Sequence, residues 1–366
     1  MPTFDPPSTI HTRSDGVATA LPRRSLPLRS GRVLDFTVLG FGAAPIGNMH
    51  RVMSDSEAEA TVESALASGV RYVDTAPLYG RGLSEQRVGR VLARAPDATI
   101  VSTKVGRLLE PCAAGEATRD IYLADAPARI RFSYTYDGVL RSFEESLARL
   151  GRHRVDVLYV HDIEAAAHGS EALADVRMRE LLHDGGWRAL DELRASGAVA
   201  AIGAGVNSIA PCRRLLADAD PDLFLLAGRY SLLDQSAADD LLPDCAARGV
   251  GVVIGGAFNS GILATGPRRG AYFDYAPAPP GILARATELE EICLRHATPL
   301  AQAALQFPLT HPVVVCVVAG ARTPQEVVRN VRAVTAPVPA ALWAELKAAG
   351  LLSEAAPIPQ TGASAC

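Results

Sequence analysis

Four residues in the first half of the chain could together transfer a proton: Asp74, Tyr79, Lys104 and His161. A tyrosine hydroxyl has a pKa of about 10, and a neighbouring ammonium group favours the phenolate, so Lys104 is expected to lower the pKa of Tyr79. Asp74 can pair with Lys104 and hold it in place, while His161 can form a hydrogen bond with a substrate oxygen. These side chains therefore predict that Tyr79 takes or gives a proton while a hydride moves, with no metal ion.

Each of these residues also has an explanation that involves no catalysis. An aspartate at a strand end often caps a helix, a tyrosine before a glycine is often a turn residue, and a single histidine more often belongs to the core. Lys104 favours the catalytic interpretation, because Lys104 and Lys347 are the two lysines among 36 basic residues. A biased genome would also make lysine rare, but a site that needs a compact ammonium group requires it.

Two segments late in the chain could hold the phosphates of a dinucleotide. Val318-Ala-Gly-Ala-Arg-Thr323 leads from a predicted strand into a capped helix, whose free N–H groups and positive dipole end attract an anion. The turn at Asn259-Ser-Gly261 could hold the rest of a pyrophosphate. Gly40–Gly47 superficially resembles a Rossmann glycine loop, but its third glycine is wrongly spaced and no helix begins there, so we interpret it as a strand and a tight loop.

The elements that must position these residues alternate along the chain from about Arg32 onward. Short apolar runs, bounded by glycine, proline or polar residues, are predicted to be parallel strands buried on both faces. They are Thr37–Gly42, Val70–Val73, Thr99–Thr103, Val155–Val160, Ala198–Ile202, Leu223–Leu226, Val250–Ile254 and Val313–Val318. The alternation with helices predicts a (β/α)8 TIM barrel of the α/β class, in which consecutive strand ends are neighbours. An open doubly wound sheet would give a similar pattern.

Helix starts are marked by capping residues. Ser54-Asp-Ser-Glu57 is a capping box that begins a helix through Leu66, which Gly69 closes. Thr323-Pro-Gln-Glu326 is a second capping box, with proline at the first helical position. Further helices are predicted at Asp137–Leu150, Gly186–Ala195, Ala237–Ala247 and Ile282–His296.

The pattern divides the chain into three parts. Residues 1–30 are expected to form a mobile N-terminal arm, 31–350 a single barrel domain, and 351–366 a C-terminal tail. Residues 105–136 and 256–281 are long loops at the C-terminal face of the barrel, where active sites of this architecture are built. We expect both loops to set the choice of substrate.

The composition excludes several classes of protein. With 48% hydrophobic and 21% charged residues the chain is not disordered, and a net charge of −4 gives no attraction to nucleic acid or to an anionic membrane. No stretch has the composition of a membrane span, and the first 30 residues contain no apolar segment of a secretory signal. Six widely spaced cysteines are typical of reduced thiols, so a cytoplasmic location is expected. The histidines have no zinc-binding spacing.

The motifs taken together resemble the aldo-keto reductase superfamily over nearly the whole span from Leu39 to Asn330. Asp74-Thr-Ala-Pro-Leu-Tyr79-Gly80, Thr103-Lys104 and Tyr159-Val-His161 match the order and strand positions of the catalytic tetrad of that family. The resemblance implies a TIM barrel, oxidoreductase activity and a bound NADP or NAD.

The resemblance also implies which residues hold the cofactor. Asn207 would hold the nicotinamide carboxamide, Tyr230 would stack on the nicotinamide ring, and the loop after strand seven and the last helix would bind the phosphates and the adenosine. The cofactor residues implied in those last two segments are Phe258, Asn259, Ser260, Gly261, Gly320, Arg322, Glu326 and Asn330.

The chain departs from the family pattern at three of these positions. Val206 replaces the serine that usually precedes the strand-five asparagine, Ala227 stands where strand six usually has a glutamine, and Glu326 replaces the glutamine of many relatives. Arg322 could pair with a 2′-phosphate, whereas Glu326 would repel that phosphate and could accept a hydrogen bond from a free 2′-hydroxyl. Glu326 could instead be occupied in capping the helix at Thr323. We therefore expect both cofactors to be used.

A looser resemblance, carried by the loop that ends at Tyr134 and Tyr136 and by the His161-Asp162 pair, indicates one branch of the family. It holds D-threo-aldose 1-dehydrogenase, L-fucose dehydrogenase and pyridoxal 4-dehydrogenase, and it implies oxidation of an aldose or a similar cyclic hemiacetal to a lactone. Tyr134 and Tyr136 are the candidate substrate-binding residues. The alternatives are an NADPH-dependent aldehyde or ketone reductase, a pyridoxal 4-dehydrogenase and, more remotely, a non-catalytic nicotinamide-binding regulatory subunit. The expected partner is a small sugar or aldehyde, with the oligomeric state left open.

Overall fold

The computed structural model describes residues 20–95, 98–113, 116, 120–123 and 127–359. Its strands, in chain order, are β1 (Arg23–Pro27), β2 (Val33–Thr37), β3 (Leu39–Gly42), β4 (Tyr72–Asp74), β5 (Ile100–Val105), β6 (Arg107–Pro111), β7 (Ala128–Phe132), β8 (Val157–His161), β9 (Ala201–Val206), β10 (Leu223–Ala227), β11 (Gly251–Gly255), β12 (Tyr272–Phe273), β13 (Ala276–Pro277) and β14 (Val314–Gly320).

The helices surround the barrel strands and follow them in sequence. They are α1 (Asp55–Ala67), α2 (Leu83–Leu92), α3 (Tyr136–Leu150), α4 (Ala165–His168), α5 (Glu171–Leu182), α6 (Gly186–Ala195), α7 (Ile209–Asp218), α8 (Leu241–Arg248), α9 (Ile262–Thr265), α10 (Pro280–Arg295), α11 (Leu300–Gln306), α12 (Pro324–Thr335) and α13 (Ala340–Ala348).

Eight of these strands pair in parallel and close into a barrel in the order β3, β4, β5, β8, β9, β10, β11 and β14, with β14 returning to β3. The predicted TIM barrel is therefore confirmed and the open sheet is excluded. The predicted strands coincide with those of the barrel, although most observed strands lie one to three residues further along the chain. The run predicted at Ala198–Ile202, for example, is the strand Ala201–Val206. Gly203 and Gly205 interrupt the apolar pattern of this strand, so the sequence pattern misplaced its bounds.

Gly203 shows why a glycine belongs in the strand β9. A β-carbon at this position would lie 1.7 Å from the backbone oxygen of Leu223 in the neighbouring strand, so no larger residue fits without moving β10. Because the two strands approach so closely, this position has no apolar side chain from which the strand could be predicted.

The capping predictions hold at the start of α1 and partly at α12. Both halves of the Ser54–Glu57 capping box are formed. At α12 the Thr323 side chain accepts a hydrogen bond from the N–H of Glu326, but the Glu326 carboxylate accepts one from the N–H of Arg322 and not from that of Thr323. The helix predicted at Ala237–Ala247 begins only at Leu241, since the preceding residues form turns.

The expectation of a mobile arm over residues 1–30 is wrong for its last part. Strand β1 pairs with β2 in an antiparallel hairpin, and Leu26 is 3% exposed. The guanidinium of Arg24 donates hydrogen bonds to the backbone oxygens of Leu309, His311 and Val314, which lie at the N-terminal end of β14. The hairpin therefore closes that end of the barrel. Residues 1–19 lie outside the described part of the chain.

The two long loops contain short elements of their own. Residues 105–136 include the antiparallel hairpin of β6 and β7, and residues 256–281 include α9 and the hairpin of β12 and β13. In the tail, Leu351 and Leu352 are buried against the barrel. None of the helices within the described ranges is long and apolar enough to cross a membrane.

Candidate active site

Three of the four predicted proton-transfer residues lie at the C-terminal ends of adjacent strands. Asp74 is the last residue of β4, Lys104 is near the end of β5, and His161 is the last residue of β8. Because β4 pairs with β5 and β5 with β8, the three side chains enter the same end of the barrel. This end is where barrels of this architecture carry their active sites.

The Lys104 ammonium is the centre of this arrangement. It is 1% exposed and donates hydrogen bonds to the Asp74 carboxylate (2.7 Å), the Thr75 backbone oxygen (2.9 Å) and the Tyr79 hydroxyl (3.1 Å). The hydroxyl of Ser102 donates to the other oxygen of Asp74 at 2.7 Å. A buried ion pair is tolerated when its remaining polar atoms are satisfied, and here all three ammonium protons have acceptors.

A close approach of two loops positions Tyr79. Gly80 has a φ of +66°, and a β-carbon there would lie 2.4 Å from the backbone oxygen of Gly47. A β-carbon on Gly47 would in turn lie 2.6 Å from the backbone carbon of Tyr79. The loop after β3 therefore contacts the loop after β4 through two glycines. The contact explains why Gly47 is a glycine, although the Gly40–Gly47 segment is not a phosphate-binding loop.

The expected lowering of the Tyr79 pKa is not what the structure shows. Burial, and then the negative charge of Asp74, raise the pKa of Tyr79 well above the usual value of 10.0. Lys104 is adjacent, but its charge is paired with Asp74 at 2.7 Å, so little of it remains to stabilise a phenolate. In the protein without cofactor, Tyr79 is therefore protonated, and its hydroxyl oxygen accepts the hydrogen bond from Lys104.

His161 lies beside Tyr79 and beside a charged pair. Its ring meets that of Tyr79 edge to face with the centroids 5.8 Å apart, and its Nε2 atom is 3.3 Å from the carboxylate of Asp162. That carboxylate also accepts a hydrogen bond from Arg107 at 2.7 Å. Burial, followed by the charges of Arg107 and Lys104, lowers the pKa of His161 well below 6.5, so the imidazole is neutral at pH 7.

Asn207 follows β9 and is held by two carboxylates. Its side-chain nitrogen donates to Asp162 at 3.0 Å and to Glu164 at 3.1 Å, and its backbone N–H donates to Glu164 at 2.7 Å. Both side-chain N–H bonds of the amide are thus used inside the protein. The amide oxygen of Asn207 is the group left for a ligand, which suits the N–H donors of a carboxamide.

The segment after β11 also carries groups suited to a cofactor. Asn259 is 2% exposed, yet neither polar atom of its side chain has a hydrogen-bond partner among the described residues. Ser260 accepts a hydrogen bond from the N–H of Tyr275, and Gly261 has a φ of +102° with open space where a β-carbon would be. Phe258 packs against the core. Buried polar groups without partners need a ligand or water, so this segment fits a polar cofactor.

The last segment expected to bind the cofactor lies between β14 and α12. Gly320 packs against Pro45, where a β-carbon would come within 2.8 Å of the proline ring. The guanidinium of Arg322 donates to the backbone oxygen of Met49 at 3.3 Å, and its Nε is buried without a partner among the described residues. Asn330 borders a small cavity between α12 and the barrel strands. One backbone N–H of this segment, that of Arg322, already donates a hydrogen bond to the Glu326 carboxylate.

Three aromatic residues that were expected to contact ligands already have protein partners. Tyr230 is fully buried, with its ring 4.9 Å from that of Phe307 in the outer layer. Tyr134 is also fully buried, and its hydroxyl donates to the backbone oxygen of His161 at 2.7 Å. Tyr136 begins α3, and its hydroxyl donates to Glu192 on the exposed surface of α6.

Direct contact of Tyr134 or Tyr136 with a substrate, and stacking of Tyr230 on the nicotinamide, stay predictions, made against the protein contacts that these side chains already have. Aromatic residues near strand ends serve equally well as core and as ligand contacts, so the sequence pattern alone does not distinguish the two roles. In the structure Tyr134 holds the backbone of His161 in place through its hydrogen bond to the His161 oxygen.

Sequence reasoning missed other residues that the structure brings to the site. Arg107 and Glu164 stand three residues after Lys104 and His161, and Tyr122 places its ring 5.8 Å from that of Tyr79. The spacing from a strand end was a usable signal for the first two. Nothing in the sequence pattern distinguishes Tyr122 from other loop tyrosines.

Comparison with known proteins gives consistent matches over most of the chain. The sequence model of the aldo/keto reductase family matches residues 38–350. The pyridoxal 4-dehydrogenase of Microbacterium luteolum is 42% identical over 335 residues, which span 87% of this chain and 96% of that protein. The D-threo-aldose 1-dehydrogenase of a Pseudomonas species is 40% identical over 334 residues, which span 89% of this chain and 98% of that protein.

Solved structures agree with the fold. The holo form of an aldo-keto reductase from Bacillus halodurans matches with a TM-score of 0.70 and 25% sequence identity, and the match spans 93% of this chain and 99% of that one. The predicted resemblance and the predicted barrel are thus both confirmed.

Proposed function

The chain belongs to the aldo/keto reductase family, and on that premise we propose that it oxidises the cyclic hemiacetal of an aldose to the corresponding lactone with a nicotinamide cofactor. The observation that carries the proposal is the buried set of Asp74, Lys104 and Tyr79, joined by hydrogen bonds of 2.7 and 3.1 Å. The substrate class is supported by the Pseudomonas relative, which is named as a D-threo-aldose 1-dehydrogenase.

In this reaction the chain must move one proton at the anomeric hydroxyl. For oxidation Tyr79 must first release its own proton, and its oxygen then takes up the proton of that hydroxyl. The Lys104 ammonium, which donates a hydrogen bond to the Tyr79 oxygen at 3.1 Å, is the group that favours this deprotonated form against the effect of burial. His161, which is neutral, lies against the Tyr79 ring and forms a hydrogen bond with the substrate oxygen. When bound, the nicotinamide cofactor supplies the acceptor for the hydride. In the reverse direction the protonated Tyr79 gives its proton to a carbonyl oxygen.

The residues that would hold the cofactor are those whose polar groups remain available. Asn207 offers its amide oxygen to a carboxamide, and Asn259 offers a buried amide that has no partner within the described part of the chain. Gly261 leaves open space beside it. Arg322 and Glu326 at the start of α12 would meet the adenosine ribose, and because they act in opposite directions on a 2′-phosphate we propose that NAD and NADP are both used.

A second candidate is the oxidation of pyridoxal, because the Microbacterium relative named pyridoxal 4-dehydrogenase is 42% identical. Pyridoxal and an aldose present the same reacting group, a carbon that carries a hydroxyl and a ring oxygen in the hemiacetal form. The loops at 105–136 and 256–281 would decide between them. An aldehyde reductase uses the same proton-transfer set in reverse.

The test is a panel of aldoses, pyridoxal and simple aldehydes, each with NAD and NADP or with the reduced forms, followed by the absorbance of the reduced cofactor. We expect reduction of cofactor by one or more aldoses and formation of a lactone that is detected by mass spectrometry. Activity with pyridoxal alone would assign the second candidate. Activity with aldehydes and reduced cofactor alone would assign a reductase, and no turnover with any of them would overturn the proposal. Tyr79→Phe is the matched inactive control.

A further inference from the structure

Two carboxylates that the proton-transfer set does not use lie beside Asn207. Asp162 and Glu164 both accept hydrogen bonds from the side-chain nitrogen of Asn207, at 3.0 and 3.1 Å. Glu164 is 5% exposed, and its second oxygen is buried with no hydrogen-bond partner among the described residues. Asp162 has a φ of +42°, a left-handed conformation that is uncommon outside glycine. Two acids held against one amide, one of them in an unfavourable conformation, call for a functional explanation.

The charges around the pair do not balance. Arg107 forms an ion pair with Asp162 at 2.7 Å, and Lys104, the next nearest cation of the site, is paired with Asp74. No cation is within ion-pair distance of Glu164 among the described residues. Burial raises the pKa of both acids, and the charge of Arg107 opposes this rise at Asp162. When both acids are ionised, Asp162, Glu164 and Arg107 leave one net negative charge beside Asn207, and a cation bound nearby favours that ionised state.

We propose that Asp162 and Glu164 make the site bind the oxidised nicotinamide cofactor more tightly than the reduced one. The inference rests on the proposed function, in which Asn207 holds the carboxamide of the nicotinamide. The oxidised nicotinamide ring carries one positive charge and the reduced ring carries none, so an uncompensated carboxylate nearby attracts only the oxidised form. Because Glu164 is buried, salt screens this attraction much less than it would at the surface.

The preference has a consequence for the direction of the reaction. Tighter binding of the oxidised form lowers the midpoint potential of the bound couple, by about 30 mV for a tenfold ratio and two electrons, so the advantage for oxidation lies in the exchange of cofactor and not in the hydride step. A protein that takes up the oxidised cofactor and releases the reduced one is suited to oxidation. The acidic pair thus supplies a reason, independent of the substrate loops, for a barrel of this family to work as a dehydrogenase.

The experiment measures equilibrium binding of NAD and NADH, and of NADP and NADPH, to the full chain without substrate. Wild type is compared with Glu164→Gln, which retains an oxygen acceptor for the Asn207 N–H but removes the charge. The control is Glu85→Gln, a fully buried glutamate that bonds to Thr103 and Arg149 and contacts neither Asn207 nor the acidic pair. Thermal melting of each variant checks that it is folded, and Asp162→Asn provides a second variant.

We expect wild type to bind the oxidised form more tightly than the reduced form by a factor on the order of ten. Glu164→Gln should lose most of that factor through weaker binding of the oxidised form, while Glu85→Gln keeps it. Wild type that binds the reduced form as tightly as the oxidised form would overturn the inference, as would an unchanged ratio in the folded variants. Failure of wild type to bind either form would instead overturn the proposed function.

Discussion

The two ends of the barrel are built from different kinds of side chain. The N-terminal end is closed by the hairpin of β1 and β2, whose Leu26, Leu34 and Phe36 join one continuous apolar cluster with the lower residues of the strands. Its half-buried cation, Arg24, has three backbone acceptors. The C-terminal end contains Lys104, Asp162 and Glu164 beside polar atoms that lack partners, such as Nδ1 of His161.

The difference shows how one fold separates stability from chemistry. At the closed end Arg24 has its three backbone acceptors, and the hydroxyl of Tyr72 has partners in Ser102 and Tyr159, as expected where the free energy of folding is gained. At the open end polar groups remain without partners, which costs stability unless a ligand or water satisfies them. Substitutions at the open end should therefore change mainly turnover, and substitutions at the closed end should change mainly the free energy of unfolding.

The largest effect is expected at the open end from Tyr79→Phe. The change removes the hydroxyl that transfers the proton, so turnover should fall on the order of 10²–10⁴-fold. The free energy of unfolding and the dissociation constant of the cofactor should stay close to wild type. Steady-state kinetics and urea denaturation measure the two, and turnover like that of wild type would remove Tyr79 from the mechanism.

The converse is expected at the closed end from Phe36→Ala. Phe36 is fully buried with its ring 5.0 Å from that of Tyr72, and truncation of such a residue costs about 3–5 kcal/mol of unfolding free energy. Turnover measured well below the melting temperature should remain within about twofold of wild type, since no proton-transfer residue moves. A large loss of turnover without a loss of stability would contradict the separation of the two ends.

Lys104→Arg tests whether turnover requires the compact ammonium group of lysine or only a positive charge. A β-carbon on Gly205 would lie 3.2 Å from Cε of Lys104, so there is little room for a larger guanidinium, and its fixed geometry cannot reproduce the three short bonds of the ammonium. We expect turnover to fall about 10²-fold. Lys347→Arg, at the other lysine, is the control and should have no effect. Equal activity of both variants would attribute the rarity of lysine to codon usage.

Asp74→Asn should change the pH dependence of Tyr79. Besides burial, the carboxylate raises the pKa of Tyr79 directly, and it also neutralises Lys104. Without it, the ammonium stabilises the phenolate, so the pKa of Tyr79 should fall. Titration of tyrosinate absorbance in the cofactor-free protein detects the shift, and Asp74→Asn combined with Tyr79→Phe identifies the residue. If the double variant shows the same titration as Asp74→Asn, the signal comes from another tyrosine.

The smallest effects are expected at the start of α12. Glu326→Gln should shift cofactor preference toward NADP, and Arg322→Ala should weaken NADP more than NAD, each by about two- to fivefold because the groups are partly exposed. The ratio of kcat/KM for the two cofactors measures the preference. Arg332→Ala, at the other end of the same helix, is the control. Unchanged ratios in both variants would mean that this helix end does not read the adenosine ribose.

The sequence by itself determined the elements and the positions of the reacting groups. Alternating apolar runs and capped helices specify a barrel because each pattern is local, and the rare Lys104 at a strand end marks the site without any knowledge of its neighbours. Asp74 and His161 follow from the same rule, since consecutive parallel strands must present their ends together.

Only the tertiary structure decided what surrounds those groups. Tyr230 and Tyr134 look like ligand contacts in the sequence, but Phe307 buries the first and the backbone of His161 takes the hydroxyl of the second. The raised pKa of Tyr79 likewise depends on how deeply it is buried and on the pairing of Lys104 with Asp74. Burial and pairing are set by segments distant in the chain, so they have no signature in the local pattern, whereas helix caps and strand periodicity arise from neighbours within a few residues.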